Sequence, residues 1–294
     1  KILIKKNKLY TLGFGKVNIP INNKIDFSLV KLGQVIKIDD GKIKFTIVSN
    51  RYKYSIKIKA LDDGTVYPSK GINFPGIDLN ISALTSKDIK DIQLGCDLEI
   101  DWFAQSFVRF AKDHKEFMKT ISSHCSNIPV LAKIETPQSI KNITQLIDLY
   151  DGILIARGDL GVELPIEQVP ILQKMIIEKC NKKGKPVITA TQMLDSMINN
   201  SSPTRAEVAD VAGAVYDGTD AIMLSAETAV GQYPLESIET MSSISINVEN
   251  EISKNGNFQI NKPKFEKTNV LTSICHAAYN IALDINIPVI ASGG

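Results

Sequence analysis

The 294-residue sequence predicts an α/β protein, a parallel sheet with helical crossovers preceded by a smaller β-rich domain. Three observations carry that expectation. From about residue 78, strand-like runs alternate with helical stretches, the rhythm of a parallel sheet. No GxGxxG follows any of those strands, as it would in a dinucleotide-binding doubly wound sheet. Polar residues instead end successive strands, at Lys133, Glu135, Asp159, Thr191, Ser225 and Glu227, where (β/α)8 barrels place their chemistry. A barrel is therefore preferred to a doubly wound sheet.

Residues 1–77 contain the runs "KILIKK", "QVIKIDD", "KIKFTIVS" and "YSIKIKALD", separated by polar turns such as "IDDGK" and "LDDGT". This pattern predicts a small antiparallel β domain. It closes with "SKGINFPG", punctuated by Gly and Pro like a linker. The strand candidates that follow are "EIDWFAQSF", "IPVLAKIE", "YDGILIARGD", "KPVITATQM" and "TDAIMLSAE". Between them, "PIEQVPILQKMIIEKCNKKG" carries an apolar stripe and stops at Gly184. "SPTRAEVADVAGAVYDG" opens with Thr204 and Glu207 in capping-box spacing. After about residue 262, "TNVLTSICHAAYNIALDINIPVIAS" reads as helix then strand, the opening of a further α/β unit.

Hydrophobic residues make up 44% and charged residues 22%, the profile of a soluble globular protein. No apolar run approaches the roughly 18 residues of a membrane span, and the start shows no signal-peptide pattern. A net charge of +2 offers nucleic acid no overall attraction, and "KILIKKNK" reads as a solvated strand face. Cys96, Cys125, Cys180 and Cys275 are scattered without CxxC spacing, which predicts reduced thiols in an intracellular compartment. The cytoplasm is the expected location, with a plastid or other organelle as the alternative. His114, His124 and His276 form no HExxH or His-x-His pattern, so any metal would sit on oxygen ligands. The chain begins with Lys1 rather than Met and ends straight after "IPVIAS", so both ends read as cuts in a longer chain.

In "PVLAKIET", residues 129–136, strand alternation puts Val130, Ala132 and Ile134 on one face and Leu131, Lys133 and Glu135 on the other. Glu135 and Asp159 are expected to end consecutive strands, about 4.8 Å apart. Two carboxylates that close repel unless a cation lies between them, and Mg2+ or Mn2+ suits such a pair with substrate oxygens. Lys133 on the same face would hold an anionic substrate or stabilise developing negative charge. A buried Lys–Glu–Asp network is the alternative, but charges against an apolar core at several strand ends favour a site. "ARGDLGVE" sets Gly158 and Gly161 around Asp159, which allows a tight turn and brings amides near a bound anion. A plain strand-to-helix turn would look the same. Thr191 in "ITATQML" offers a hydroxyl to an oxyanion or a proton relay.

These words together resemble pyruvate kinase: "SKGINFPG", "KIETPQSI", "DGILIARGDLGVELP" and "GKPVITATQMLDSMINNSSPTRAEVADVAGAVYDGTDAIMLSAETAVGQYPLE". The resemblance runs in order along the chain and is densest from about residue 70 to 240. It implies metal-dependent phosphoryl transfer from phosphoenolpyruvate to ADP, giving pyruvate and ATP, the final step of glycolysis. It also implies Mg2+ or Mn2+, K+ at residues outside this chain, a homotetramer when full length, and neither nucleic-acid nor membrane partners. The fold it implies is a partial (β/α)8 TIM barrel with an inserted small β-barrel-like B domain and the start of an α/β C-terminal domain. The corresponding ranges are 1–77, 78–262 and 263–294.

Carried over residue by residue, Lys133 matches the lysine that neutralises the transferring phosphoryl group and the enolate. Glu135 and Asp159 match the metal carboxylates. The backbone of Ala156, Arg157, Gly158 and Asp159 matches the turn around metal and substrate carboxylate. Thr191 matches a threonine beside the substrate, implicated in proton transfer, and Ser225 and Glu227 match polar residues near that proton path. Lys70 matches a lid lysine that reaches nucleotide and phosphate, with Asp40 a second residue of the same lid. The five strands correspond to the fourth through eighth of the family barrel, so the phosphate- and K+-binding residues of the first three are missing. The chain alone is therefore expected to be inactive, as a fragment or as one of two complementing polypeptides. The rivals are a non-catalytic paralogue or interaction subunit, and another phosphoenolpyruvate- or pyruvate-handling barrel such as an aldolase.

Overall fold

Isoleucines at every second position organise the N-terminal sheet. The computed structural model describes residues 1–22, 24–68, 70–77, 84–125, 128–254, 270–285 and 287. Its first strands are β1 (Ile2–Ile4), β2 (Leu9–Gly13), β3 (Ile19–Pro20), β4 (Val35–Ile38), β5 (Ile43–Tyr52), β6 (Ser55–Ala60), β7 (Gly64–Val66) and β8 (Ile72–Asn73). Six of them form one sheet in the order β3-β2-β6-β5-β4-β8, while β1 pairs with β7. The pairing is antiparallel, as the alternating pattern predicts, except that β3 runs parallel to β2. Ile36, Ile38, Phe45, Ile47, Ile56 and Ile58 fill its core, and each such side chain contributes about 1.5–3 kcal/mol by leaving water. The segment "SKGINFPG" is not simply a linker. Ile72 and Asn73 pair with Ile38 and Lys37, making β8 an edge strand of this sheet. Composition marked the turn residues there but could not reveal a two-residue pairing with β4.

The second layer alternates strand and helix. In order come α1 (Ser86–Asp97), β9 (Phe103–Gln105), α2 (Ala111–Ile121), β10 (Val130–Ile134), α3 (Pro137–Lys141), α4 (Ile143–Leu149), β11 (Gly152–Ala156), α5 (Arg157–Glu163), α6 (Val169–Lys183), β12 (Val187–Ala190), α7 (Arg205–Tyr216), β13 (Ala221–Met223), α8 (Ala226–Ala229) and α9 (Pro234–Lys254). Strands β9 to β13 lie side by side in chain order, all parallel. Doubly wound sheets reverse strand order at a switch point. An unreversed arc of five is the partial (β/α)8 barrel that the strand-end residues predict.

The expected two-faced character of β10 holds. Val130, Ala132 and Ile134 join Ile153, Ile155 and Val187 in a core covered by Ile143, Leu146, Ile147, Ile176 and Ile177. On the opposite face, Lys133 is in register with Leu154, which clusters with Ala156 and Ala190. Helix ends follow the sequence signals. Thr204 and Glu207 form a reciprocal capping box on α7, and Gly184 ends α6 in left-handed backbone at φ 62°.

Two further expectations need correction. Asp159 does not end a strand: β11 stops at Ala156, and "RGDLGVE" is the seven-residue helix α5, which buries Leu160 and Val162. Two glycines mimicked a loop, but burial of those side chains outweighs the weak helix propensity of glycine. Cys96 and Cys125 are not both free thiols. A disulfide joins them, with Cα atoms 5.6 Å apart, and ties the last turn of α1 to the segment after α2. Their separation of 29 residues carries no local signal of pairing. Cys180 is a buried free thiol and Cys275 an exposed one.

The chain divides into two units, Lys1–Gly256 and Asn257–Gly294. In the second, α10 (Val270–Ile285) forms as expected. The boundary expected near residue 262 lies outside the described residues, as does the strand expected in "IPVIAS" apart from Ile287. Among the described residues, no helix is long and apolar enough to cross a membrane.

Candidate active site

Strand β10 delivers its charges at the mouth of the arc. Glu135, the residue after its end, is fully buried. Lys133 Nζ lies 2.6 Å from Glu135 Oε1 and donates to Ser106 Oγ at 3.0 Å. The neighbouring loop after β9 contributes the Phe107 amide, which donates to Glu135 Oε2. Phe107 holds left-handed backbone at φ 52°, an outlier for a bulky residue, which marks this loop as strained around the carboxylate. Glu135 Oε1 accepts no aligned hydrogen bond although the ammonium is close, so it retains acceptor capacity inside the protein.

Asp159 stands in the first turn of α5, near enough to raise the Glu135 pKa further by charge repulsion. Burial is the main cause that pushes the Glu135 carboxyl above its ordinary value, against the pull of Lys133 and of the Phe107 amide. Asp159 is raised for the same first reason, with Lys133 opposing and Asp40 of the N-terminal domain adding repulsion. Carboxylates held against such a penalty suit a hard cation. Among the described residues, no three carboxylate, His or Cys groups converge as a self-sufficient metal cage. The donor set therefore fits an ion that takes one or two carboxylates and completes its shell with substrate and water, the habit of Mg2+.

The N-terminal sheet leans on α5. Asn73 Nδ2 donates to Glu163 Oε1 at 3.0 Å, and Lys37 Nζ donates to the Val162 carbonyl. A cavity of about 840 Å³ opens between the two layers, with Asp40, Asn73, Ser106, Phe107, Asp159 and Glu163 on its wall. Asp39, Asp40 and Gly41 turn through successive left-handed backbone, at φ 56°, 53° and 84°. Lys70 does not reach the carboxylates of β10 and α5 here. It forms an ion pair with Asp39 at 2.9 Å, and that ammonium holds the Asp39 carboxyl below its ordinary range.

Thr191 follows β12 at φ 69° and Gln192 at φ 54°. Thr191 Oγ1 accepts the Gly158 amide at 2.7 Å, so that amide already has a partner within the protein. A Cβ on Gly158 would sit 3.3 Å from this hydroxyl, which is why glycine suits the close approach. The Arg157 side chain is buried. Its guanidinium donates to the carbonyls of Thr191 and Gln192, to Gln173 and to Asp210. Glu227 is buried and accepts the amides of Leu194 and Ser225 at 3.1 and 2.8 Å. Its carboxylate thus secures the two loops after β12 and β13.

The structure brings Lys133, Glu135 and Asp159 together, ties Thr191 to Gly158, and links Ser225 and Glu227 to the Thr191 loop through Leu194. Sequence reasoning missed Ser106, the Phe107 amide, Asn73 and Glu163. Glu163 had a usable signal: it lies four residues after Asp159, so a helical reading of that segment would have put both on one face.

The family model described as "Pyruvate kinase, barrel domain" matches residues 2–238. A pyruvate kinase of Geobacillus stearothermophilus is 40% identical over 279 residues, covering 94% of this chain and 47% of its own length. "Pyruvate kinase 2" of Synechocystis is 43% identical over 266 residues, covering 90% of this chain and 44% of its own length. A pyruvate kinase of Clostridium acetobutylicum is 41% identical over 297 residues, covering 99% of this chain and 62% of its own length. The chain thus spans about half the length of the curated relatives it matches.

Proposed function

Since this chain belongs to the pyruvate kinase family, we propose that its protein transfers the phosphoryl group of phosphoenolpyruvate to ADP, giving pyruvate and ATP. We assign residues 1–77 to a lid, 78–262 to part of the barrel and 263–294 to the start of a C-terminal domain. Family membership weighs against the aldolase reading. The observation that carries the proposal is the pairing of half-buried Lys133 with fully buried Glu135 beside Asp159, with Glu135 Oε1 lacking an aligned donor.

Glu135 and Asp159 would hold Mg2+ or Mn2+, which when bound would draw negative charge off the transferring phosphoryl oxygens. Lys133, anchored by Ser106, presents a fixed positive charge where negative charge develops on the phosphoryl group and the enolate. Phosphoryl transfer leaves little covalent work to the protein, so positioning and charge dominate. Thr191 would relay a proton from solvent to the enolate carbon, its hydroxyl regaining the proton it passes on. The backbone of Ala156, Arg157, Gly158 and Asp159, where β11 passes into α5, would lie beside the substrate carboxylate, and Glu227 with Ser225 keeps the adjoining loops in place. Lys70 and Asp40 would meet the nucleotide once Lys70 leaves Asp39, and the lid would exclude water that otherwise hydrolyses the phosphoryl group. K+ and a homotetramer belong to the same reading and depend on segments beyond this chain.

The test is a coupled assay of the full-length protein with phosphoenolpyruvate, ADP, Mg2+ and K+, alongside Mn2+ titration. Lys133→Met is expected to lower turnover by roughly 10²–10³-fold with Mn2+ affinity retained, and Glu135→Gln to weaken Mn2+ binding. A folded wild-type protein that neither turns over nor binds Mn2+ would establish the interaction-subunit alternative instead.

A further inference from the structure

The loop after β12 holds two successive non-glycine residues in left-handed backbone, Thr191 and Gln192. For β-branched Thr191 this is a true outlier, and such backbone persists only where its surroundings over-determine it. Most of that determination comes from one side chain. Arg157 Nε and Nη2 donate to the Thr191 carbonyl at 3.3 and 3.0 Å, and Nη2 donates to the Gln192 carbonyl at 3.1 Å. Nη2 also packs tightly against Met193 Sδ, so the guanidinium holds two successive carbonyls and abuts the third residue. Nη1 anchors the group, donating to Asp210 Oδ1 of α7 at 2.7 Å and to Gln173 Oε1 of α6 at 3.3 Å. The next residue, Gly158, grips the same threonine from the other side through its hydroxyl. With that acceptor site filled, the Thr191 hydroxyl directs its own proton elsewhere.

We propose that Arg157 is a positioning residue for Thr191: its guanidinium, anchored by Asp210, holds the left-handed turn that fixes the direction of the Thr191 hydroxyl. The inference rests on the reading of Thr191 as the proton relay. All three guanidinium nitrogens already have protein partners, and the side chain is 8% exposed, so no face remains for a substrate carboxylate. Lysine cannot replace it, because only a planar fork reaches two carbonyls and a carboxylate at once.

The experiment compares wild type, Arg157→Lys and Asp210→Asn in the full-length protein, with Arg157→Ala kept for rescue by added guanidinium ion. Site-resolved hydrogen exchange at the Gly158 amide reads the clamp without reference to activity. Arg157→Lys is expected to speed that exchange and to lower kcat by about 100-fold, the scale of an ångström-sized misplacement. Exchange of pyruvate methyl protons with solvent should fall in parallel, while KM for phosphoenolpyruvate and Mn2+ affinity hold. Asp210→Asn should show a smaller version of the same pattern, and guanidinium should restore part of the kcat of Arg157→Ala. Unchanged Gly158 exchange in Arg157→Lys would overturn the proposal, as would a KM that rises while kcat stays constant. If wild type proves inactive, the functional reading falls, and Gly158 exchange alone still decides whether the clamp exists.

Discussion

Glu163 shows how a single carboxylate can tie two layers together at a cost set by pH. It takes the Asn73 amide of β8, yet burial pushes its pKa above the ordinary 4.5, against that hydrogen bond and the Lys37 charge. The sign follows from proton binding. Above pH 4.5 the folded protein holds this proton more tightly than the unfolded chain, so stability falls as pH rises from 4.5 through the folded value. Glu163→Gln keeps an oxygen for Asn73 and removes the charge. Its Tm is therefore expected to exceed that of wild type at neutral pH, with the gap closing as pH drops below 4.5. Thermal melts of the two proteins across pH, without metal, check this; a gap independent of pH would mean that burial of the charge is not the cause.

At the scale of elements, local grammar was legible and long-range partnership was not. Gly184 ends α6 after a run of lysines, at φ 62° with no other atom within 4 Å of the place a methyl group would take, so only backbone conformation opposes a side chain there. Gly184→Ala is expected to cost about 1 kcal/mol in urea denaturation, with metal binding untouched. The same kind of reading found the α7 capping box and the two faces of β10, because caps and strand alternation are written within a few residues. It failed at α5, where glycines hid a helix held by the burial of Leu160 and Val162. It failed at β8, whose two residues are a strand only because β4 lies beside them. Ser106 and the Phe107 amide reach the β10 charges from 27 and 28 residues away, through the register of β9 with β10. No spacing rule on one strand encodes that register, so the residues carrying chemistry were readable while most of those orienting them were not.

Among the described residues, the five parallel strands form an arc that does not close. Strands β9 and β13 each have one neighbour among the described strands. Closing a (β/α)8 barrel takes eight strands with matched tilt and stagger, so five leave two backbone edges and an uncovered inner face. The β9 side is also apolar: Leu94, Leu98, Trp102 and Phe107 are exposed there, and Ile92, Phe103 and Phe117 line the cavity behind them. Unpaired strand edges beside apolar surface are templates for association. The chain covers 47% and 44% of the length of two of the relatives it matches. The 294-residue chain alone is therefore expected to self-associate and to show little or no phosphoryl transfer, even though Lys133, Glu135 and Asp159 are present. Size-exclusion chromatography with light scattering reads the first expectation, and the coupled assay with phosphoenolpyruvate, ADP, Mg2+ and K+ reads the second. A stable monomer with turnover matching the full-length protein would show that the open arc suffices, and that the residues on β10 to β13 form a whole site.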